Sequence, residues 1–203
     1  MPDQATFLGE PPENEATARA YEADLESDSY VGNLTRLWCW RPDLYESFVA
    51  QRQGLMAEST LTDRDWAILV TATAAQRGDS YCCLAWGQRL AKLSDDETAA
   101  KVLTDTLATS LTERERALAA WARQVVLDPN ATTERDVERL RDVGLDDRQI
   151  FEATAFVAVR LAWSTVNDAL GAAPDHELAE SAPEAVRAAV SWGRPPSSAP
   201  SPE

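Results

Sequence analysis

Helix-start signals recur along this sequence, and they constrain its fold more than any other feature. Two stretches, Ser94–Glu97 and Thr112–Glu115, have the spacing of a capping box, in which each side chain bonds the other residue's backbone N–H. A third, Thr62–Asp65, has the same spacing with Asp in place of Glu. Each precedes a segment of helical character, and no segment alternates convincingly between turn signals as a strand would. The sequence therefore predicts an all-α fold, a helical bundle.

Helical patterning defines the expected domain limits. We expect residues 15–193 to form a single all-helical domain, because one domain with a sizeable core suits this length. Residues 1–14 are acidic and Pro-rich without periodicity, and residues 194–203 are rich in Pro and Ser, so both are predicted to be disordered tails. Residues 147–170 are apolar nearly all round in their middle, which places that helix either centrally in the bundle or in a subunit interface.

The charge of the chain restricts its partners. The formal net charge is −15 and the isoelectric point is near 4.4. Nucleic acids and anionic membranes attract basic surfaces, so the sequence predicts neither as a partner and leaves small molecules and proteins. No apolar run approaches the roughly 18 residues that span a bilayer, and the first residues lack the basic and apolar regions of a signal peptide. We therefore expect a cytoplasmic protein.

The few cysteines and the single histidine limit the available chemistry. Cys82 and Cys83 are adjacent, and a disulfide between neighbours is strained, so the three cysteines are expected to be reduced. His176 is the one histidine, which is too few for a histidine-rich metal site. The sequence therefore predicts no metal and no cofactor.

The segment Asp79–Leu93, DSYCCLAWGQRLAKL, is the candidate functional segment. Asp79 is an N-cap residue type, which places Cys82 in the first helical turn, where unpaired N–H groups and the helix dipole favour a thiolate. Trp86 and Arg89 follow Cys82 at i+4 and i+7 and therefore share its helix face. The segment is expected to align a thiol, an indole and a guanidinium.

Several motifs occur together in a recognisable order. These are a VxN turn before a helix beginning near RPDL, an apolar helix running into SYCxLAxGxxL, then DVERLRxxGLxDxxIFE, a long helix ending in xDALG, and a final GRP. Their order resembles the alkylhydroperoxidase D-like, or carboxymuconolactone decarboxylase-like, family, specifically its peroxidase-related branch. The resemblance covers about Ala16–Pro196. It implies an all-helical homo-oligomer, a dimer, trimer or hexamer assembled through the long helices.

The redox motif of that family is degenerate in this chain. Redox members of the family have a C-x-x-C pair, a His four residues beyond the second Cys, and a proton-relaying Glu on the preceding helix. The corresponding positions here are Asp79 and Cys82, Trp86, and Ala67. General acid or base assistance is typically worth ~10²- to 10⁴-fold in rate. We therefore do not expect an efficient peroxidase by the route of the family.

The predicted pocket is built around Asp79, Tyr81, Cys82, Trp86 and Arg89, and Ala67, Arg160 and Trp163 are assigned to it as well. Arg160 lies in the apolar part of the last long helix, where a charge needs a partner, so an acidic residue from another helix is expected beside it. Trp163 and Trp86 belong to a set of seven tryptophans that either fill the core or line a cavity for a flat apolar ligand.

Three functional hypotheses remain open. The first is a cofactor-free small-molecule enzyme or binding protein, with Asp79 or Tyr81 as the acid or base and Arg89 as an anion anchor. Its substrate would be an organic acid, a lactone or a polyketide-like compound. The second is a residual thiol peroxidase that uses Cys82, although the residues alone favour an inert buried thiol at this position over a reactive one. The third is a non-catalytic structural oligomer.

Overall fold

The computed structural model describes residues 5–106 and 109–199. These residues form eleven α-helices and one 3-10 helix and contain no strand, which confirms the all-α prediction. The helices are α1 Glu15–Asp28, α2 Asn33–Trp38, α3 Pro42–Ala57, α4 Asp63–Arg77, α5 Ser80–Leu93, α6 Asp96–Leu103, α7 Glu113–Leu127, α8 Glu134–Asp142, α9 Asp147–Ala169, α10 His176–Ser181 and α11 Glu184–Ala189, and the 3-10 helix is Pro129–Ala131. No helix in these ranges combines the length and apolar character that crossing a bilayer requires.

The predicted capping boxes start two of the three helices. Thr62–Asp65 and Thr112–Glu115 form both reciprocal side-chain bonds at the starts of α4 and α7. The box predicted at Ser94 is wrong, because the Asp95 side chain caps α6 instead and accepts a hydrogen bond from the Thr98 N–H at 2.7 Å. Aspartate is as good an N-cap as serine, so neighbouring candidates shift a helix start by one residue.

Helix α4 lies at the centre of the bundle. Residues 65–74 of this helix are all buried, and α5, α6, α7 and α9 all pack against it. Trp66 of α4 meets Phe156 of α9 with ring centroids 4.5 Å apart. Helix α9 covers α4 with one face and leaves Phe151 71% exposed on the other. The central helix of the bundle is therefore α4 and not α9. A subunit interface on α9 stays a prediction.

Both segments predicted to be disordered tails contact the helices where the structure describes them. At the N-terminal end, the Phe7 N–H donates to the Leu170 carbonyl at 2.8 Å. At the C-terminal end, the Arg194 guanidinium lies 4.5 Å from the centre of the Phe7 ring, and the Ser197 N–H donates to the Pro174 carbonyl at 2.8 Å. These contacts place the described part of each segment against the helices, and the disorder of the tails stays a prediction. Residues 1–4 and 200–203 of the predicted tails lie outside the described residues.

Candidate functional site

A tight turn between α4 and α5 positions the candidate segment. Gly78 ends α4 with a positive φ of 81°, a backbone conformation that glycine adopts without strain, and Asp79 follows directly as the N-cap of α5. Asp79 Oδ1 accepts a hydrogen bond from the Cys82 N–H at 2.9 Å, as the cap prediction requires. Asp79 Oδ2 is buried and has no hydrogen-bond partner among the described residues. One oxygen of this carboxylate therefore caps α5, and the other lies buried beside the start of the helix.

The Cys82 thiol is buried against an arginine. Arg160 Nη2 of α9 donates to Cys82 Sγ at 3.1 Å, and Cys82 is 2% exposed. Burial raises the pKa of the Cys82 thiol well above its ordinary value, the charge of Asp79 raises this pKa further, and Arg160 opposes both. The thiol is therefore neutral in this closed arrangement, in contrast to the thiolate that the helix start alone would favour.

Arg160 has no carboxylate partner in the part of the chain that the structure describes, so the predicted acidic residue is wrong. Besides Cys82, its neighbours are two indoles: its Cζ lies 5.7 Å from the Trp86 ring and 5.9 Å from the Trp163 ring. Its Nε is buried without a hydrogen-bond partner among the described residues. Ring faces attract a cation by about 0.5–2 kcal/mol each. The two aromatic rings thus provide part of the electrostatic stabilisation that a carboxylate would give to the Arg160 cation.

A second guanidinium group, that of Arg89, lies against the Trp86 ring. The Cζ of Arg89 lies 5.4 Å from the Trp86 ring, so Trp86 has Arg89 and Arg160 within cation–π range. The nearest carboxylate of Arg89 is Asp63, at 3.9 Å, and the Arg89 side chain is 49% exposed. Such an ion pair contributes at most about 1 kcal/mol and leaves Arg89 free to bind another anion.

Trp163 is a fixed wall of this site. Its ring stacks on Trp38 with centroids 4.3 Å apart and an interplanar angle of 9°, and Phe48 meets it edge-on. Trp38 is itself anchored, because its Nε1–H donates to Asn167 Oδ1 at 2.8 Å. The structure therefore brings together five predicted residues, namely Cys82, Trp86, Arg89, Arg160 and Trp163.

Two predicted residues have other surroundings. The Tyr81 hydroxyl donates to Asp175 Oδ2, and Asp175 Oδ1 accepts from the Asn33 N–H at 2.7 Å. Burial and the charge of Asp175 raise the pKa of Tyr81 well above its ordinary value. Tyr81 thus connects α5, through Asp175, to the start of α2 at Asn33. Ala67 is completely buried in the core and offers only a methyl group where the sequence comparison expected a pocket residue.

The C-terminal segment covers the start of α5, a contact that the helix patterns of the sequence do not predict. Residues 192–197, here named the C-terminal strap, cross this helix end: Ser80 Oγ donates to the Arg194 carbonyl at 2.8 Å. A Cβ on Gly193 would lie only 2.7 Å from the Gly78 carbonyl oxygen, so the strap approaches the turn as closely as a glycine allows. A cavity of about 350 Å³ lies between α5 and the strap and is lined by Leu84 and Trp192 among others.

Several solved structures have the same arrangement of helices as this chain. A peroxidase-related protein with an alkylhydroperoxidase AhpD core from Ralstonia eutropha JMP134 superposes with a TM-score of 0.77 at 23% identity, covering 86% of this chain and 94% of that one. A peroxidase-related protein from Silicibacter sp. TM1040 gives a TM-score of 0.78 at 21% identity, covering 87% and 95%. The chain has the AhpD-like fold. The debrominase Bmp8 gives a TM-score of 0.69 at 15% identity, covering 90% and 97%.

A further structure holds a variant of Bmp8 in complex with 2,3,4-tribromopyrrole, and it gives a TM-score of 0.66 at 14% identity, covering 90% of this chain and 95% of that one. Neither a protein-family model nor a curated protein matches the sequence. The shared property is thus the AhpD-like fold itself. Within residues 5–106 and 109–199, no group of three or more His, Cys, Asp and Glu side chains is arranged to hold a metal ion.

Asp168 places a second carboxylate near Asp79 in this AhpD-like fold. Burial and the negative charge of Asp79 raise the pKa of Asp168 from 3.8 to about 6, and Arg77 and Arg194 lower it. The Arg77 Nε lies 4.0 Å from Asp168 Oδ2, too far for a hydrogen bond. A protonated Asp168 therefore favours the folded state below pH 3.8, and this contribution is lost as the pH rises through about 6.

We expect Asp168→Asn to stabilise the protein at pH 7 but not at pH 4. The amide cannot ionise, so it keeps the contribution that the carboxylate loses. One third of the Asp168 side chain is exposed, so we expect a gain of about 1 kcal/mol after solvent screening is taken into account. Urea unfolding of both proteins between pH 4 and pH 8 measures the difference. A gain that does not change with pH would contradict titration of Asp168 as its cause.

Proposed function

We propose that this protein is a cofactor-free small-molecule enzyme or binding protein that takes an organic acid at Cys82, Trp86, Arg89 and Arg160. The observation that carries the proposal is the surroundings of Arg160. The chain has 34 acidic residues against 19 basic ones, and yet this cation, only 6% exposed, has no carboxylate beside it in the described residues. A buried charge without a partner is costly, so its retention favours a role in binding an anion from outside the chain.

The aromatic side chains favour a flat ligand. Trp86 and Trp163 both present rigid rings within 6 Å of the Arg160 guanidinium, at 5.7 and 5.9 Å, and such rings contribute large contact area to small planar molecules. A variant of the debrominase Bmp8, a protein of similar fold, binds a halogenated pyrrole. We therefore propose a small planar organic acid, such as an aromatic or heteroaromatic carboxylate, as the ligand class of this chain.

Each side chain of the site would have a distinct task. Arg160 and Arg89 would bind the carboxylate, since a guanidinium matches its two oxygens. Cys82 would take up a proton from the ligand as its own S–H proton moves to Oδ2 of Asp79, so that Asp79 becomes a neutral carboxylic acid, the negative charge passes to the ligand, and no redox partner is needed. The raised pKa of Cys82 suits this task, because the sulfur remains a neutral thiol before and after the transfer.

Ligand entry would require side chains to move. The cavity beside Arg160 measures about 30 Å³, about the volume of one water molecule. Arg89 is half exposed and Trp86 is partly buried, so these two are the side chains free to swing. A bound acid should therefore change the tryptophan fluorescence.

We expect pyrrole-2-carboxylate or benzoate to quench or shift this fluorescence with saturation. The neutral amide of the same acid should bind at least ~10-fold more weakly, because it lacks the charge-assisted hydrogen bonds. Arg89→Gln should weaken acid binding about 10-fold. Lys92→Gln is the matched control, an exposed cation on the same helix. Equal weakening by both variants, or no saturable binding of any carboxylate by the wild type, would refute the proposed ligand class.

A slow thiol peroxidase is the second candidate function. The observation in its favour is the guanidinium of Arg160 at 3.1 Å from Cys82 Sγ, which would stabilise a thiolate. In that reaction the sulfur displaces the leaving oxygen of a hydroperoxide, which is reduced to an alcohol while the cysteine becomes sulfenic acid. Peroxide titration followed by mass spectrometry tests it. No sulfenic acid or mixed disulfide on Cys82 after prolonged exposure would exclude this function.

The homo-oligomer also belongs to the proposal. Phe151 of α9 and Leu127 of α7 are 71% and 75% exposed, and apolar side chains of this size are the kind that a subunit interface covers. Light scattering at micromolar concentration reports the assembly state directly.

A further inference from the structure

A second unpaired cation lies close to Arg160. Arg52 on α3 is partly buried and makes no hydrogen bond or ion pair within the described ranges. Burial lowers the pKa of Arg52, and the positive charges of Arg160 and Arg89 lower it further. Three guanidinium groups therefore gather in a strongly acidic protein, and their mutual repulsion disfavours this arrangement unless an anion compensates it.

Arg52 and Arg160 share one small cavity between α3 and α9. Its other lining residues are Phe48, Val49, Val159 and Trp163, so none of the lining side chains is acidic. Arg160 is only 6% exposed, and its Nε is buried with no hydrogen-bond partner among the described residues. The cavity volume is about 30 Å³, enough for a single water-sized particle.

We infer that this cavity binds a small monovalent anion between the guanidinium groups of Arg52 and Arg160. A water molecule would fill the space but would leave two like charges facing each other in a weakly polar surrounding. A halide ion fits the space and neutralises one of the charges. The carboxylate group of an organic acid has the same charge and is the other source of such an anion.

This anion site goes beyond the proposed function, because anion binding in the cavity requires no catalytic reaction and no contact with Trp86 or Arg89 of α5. It also has a consequence for Cys82. Arg160 lowers the pKa of the Cys82 thiol, so an anion that compensates Arg160 weakens this effect. Occupancy of the cavity should therefore slow alkylation of Cys82, which a merely structural ion elsewhere would not do.

The test compares sodium bromide with sodium gluconate at equal ionic strength, since gluconate is too large for the cavity. We expect bromide to raise the Tm of the wild type with saturation. Arg52→Gln should have a higher Tm than the wild type in gluconate, because one repelling charge is gone, and its bromide response should be at least ~10-fold weaker. Arg36→Gln is the matched control, with a similarly exposed side chain but an ion pair to Glu10 at 3.2 Å.

The outcomes separate the two anion sources and the two proposals. If benzoate competes with bromide, the cavity holds the carboxylate of the ligand; if the two bind independently, it is a halide site. Arg89→Gln should leave the bromide response intact even where acid binding fails. Equal Tm values in bromide and gluconate for the wild type, or an undiminished bromide response in Arg52→Gln, would overturn the inference. Should Arg52→Gln not fold, Arg52→Met replaces it, because it removes the charge and keeps a flexible side chain that fills the space.

Discussion

Replacing Arg160 with methionine is expected to weaken organic-acid binding ~10- to 100-fold and to leave the protein at least as stable as the wild type. Desolvation of a buried charge costs several kcal/mol, and here no carboxylate in the described chain offsets it. The two cation–π contacts, to Trp86 and Trp163, return about 0.5–2 kcal/mol each. Methionine is flexible and apolar and fills the vacated space without a charge. We expect the free energy of unfolding to rise by about 1 kcal/mol, while affinity for the acid falls ~10- to 100-fold.

Urea unfolding and fluorescence titration of the same samples measure both effects. Arg160→Lys is the matched variant: it keeps the charge, so it should keep the cost to stability, but it cannot bind a carboxylate with two parallel hydrogen bonds. A loss of more than about 3 kcal/mol in Arg160→Met would show that Arg160 is needed for packing. Retained acid binding in the same variant would remove Arg160 from the proposed site.

The start of α5 could be predicted because it depends on neighbours in the sequence. Asp79 caps the helix and holds the Cys82 N–H, as its residue type and position indicate. The spacing of Trp86 and Arg89 likewise follows from the helix period alone. Local rules of this kind also gave most of the helix starts, and they failed at α6 only by one residue, where Asp95 competes with Ser94.

The partner of Arg160 could not be predicted, because helix periodicity does not say which helices face each other. The general cost of a buried charge led to the expectation of a carboxylate. The structure instead joins Arg160 to Cys82, 78 positions away in the sequence, and to two indoles. A pattern that defines one helix face does not say which helix packs against it, and in this protein burial raises the pKa of the thiol while Arg160 of the facing helix lowers it.

The strap was missed for a different reason. Composition predicts disorder where a segment cannot bury apolar surface, and the strap is held largely by backbone groups instead. The Arg194 carbonyl accepts from Ser80, and Arg194 Nη2 donates to the Asp168 carbonyl at 3.1 Å. The one available signal was the final GRP motif that the family resemblance included, since a glycine followed by a proline at a fixed place suggests a defined backbone path.

The two adjacent thiols have different neighbours, and only Cys83 lies beside the strap. Cys83 interacts with Trp192 of the strap, whereas Cys82 is covered by Arg160. Burial and the charge of Asp79 raise the pKa of Cys83, so this thiol is unreactive while the strap is closed. Lifting the strap should therefore expose Cys83 and leave Cys82 protected.

Gly193→Ala is expected to lift the strap and to raise the alkylation rate of Cys83 at least ~10-fold. Gly193 has a positive φ of 75°, which costs alanine about 1 kcal/mol, and its new Cβ would lie 2.7 Å from the Gly78 carbonyl oxygen. Strain of about 2 kcal/mol confined to the strap shifts its opening equilibrium by more than tenfold. Iodoacetamide labelling with fragment-ion assignment separates the two thiols. Gly144→Ala is the control, since its φ of 87° carries the same backbone strain with no atom within 4 Å of the new Cβ. Equal labelling of Cys83 in both variants would indicate general loosening, and a comparable rise at Cys82 would mean that the strap closes the organic-acid site as well.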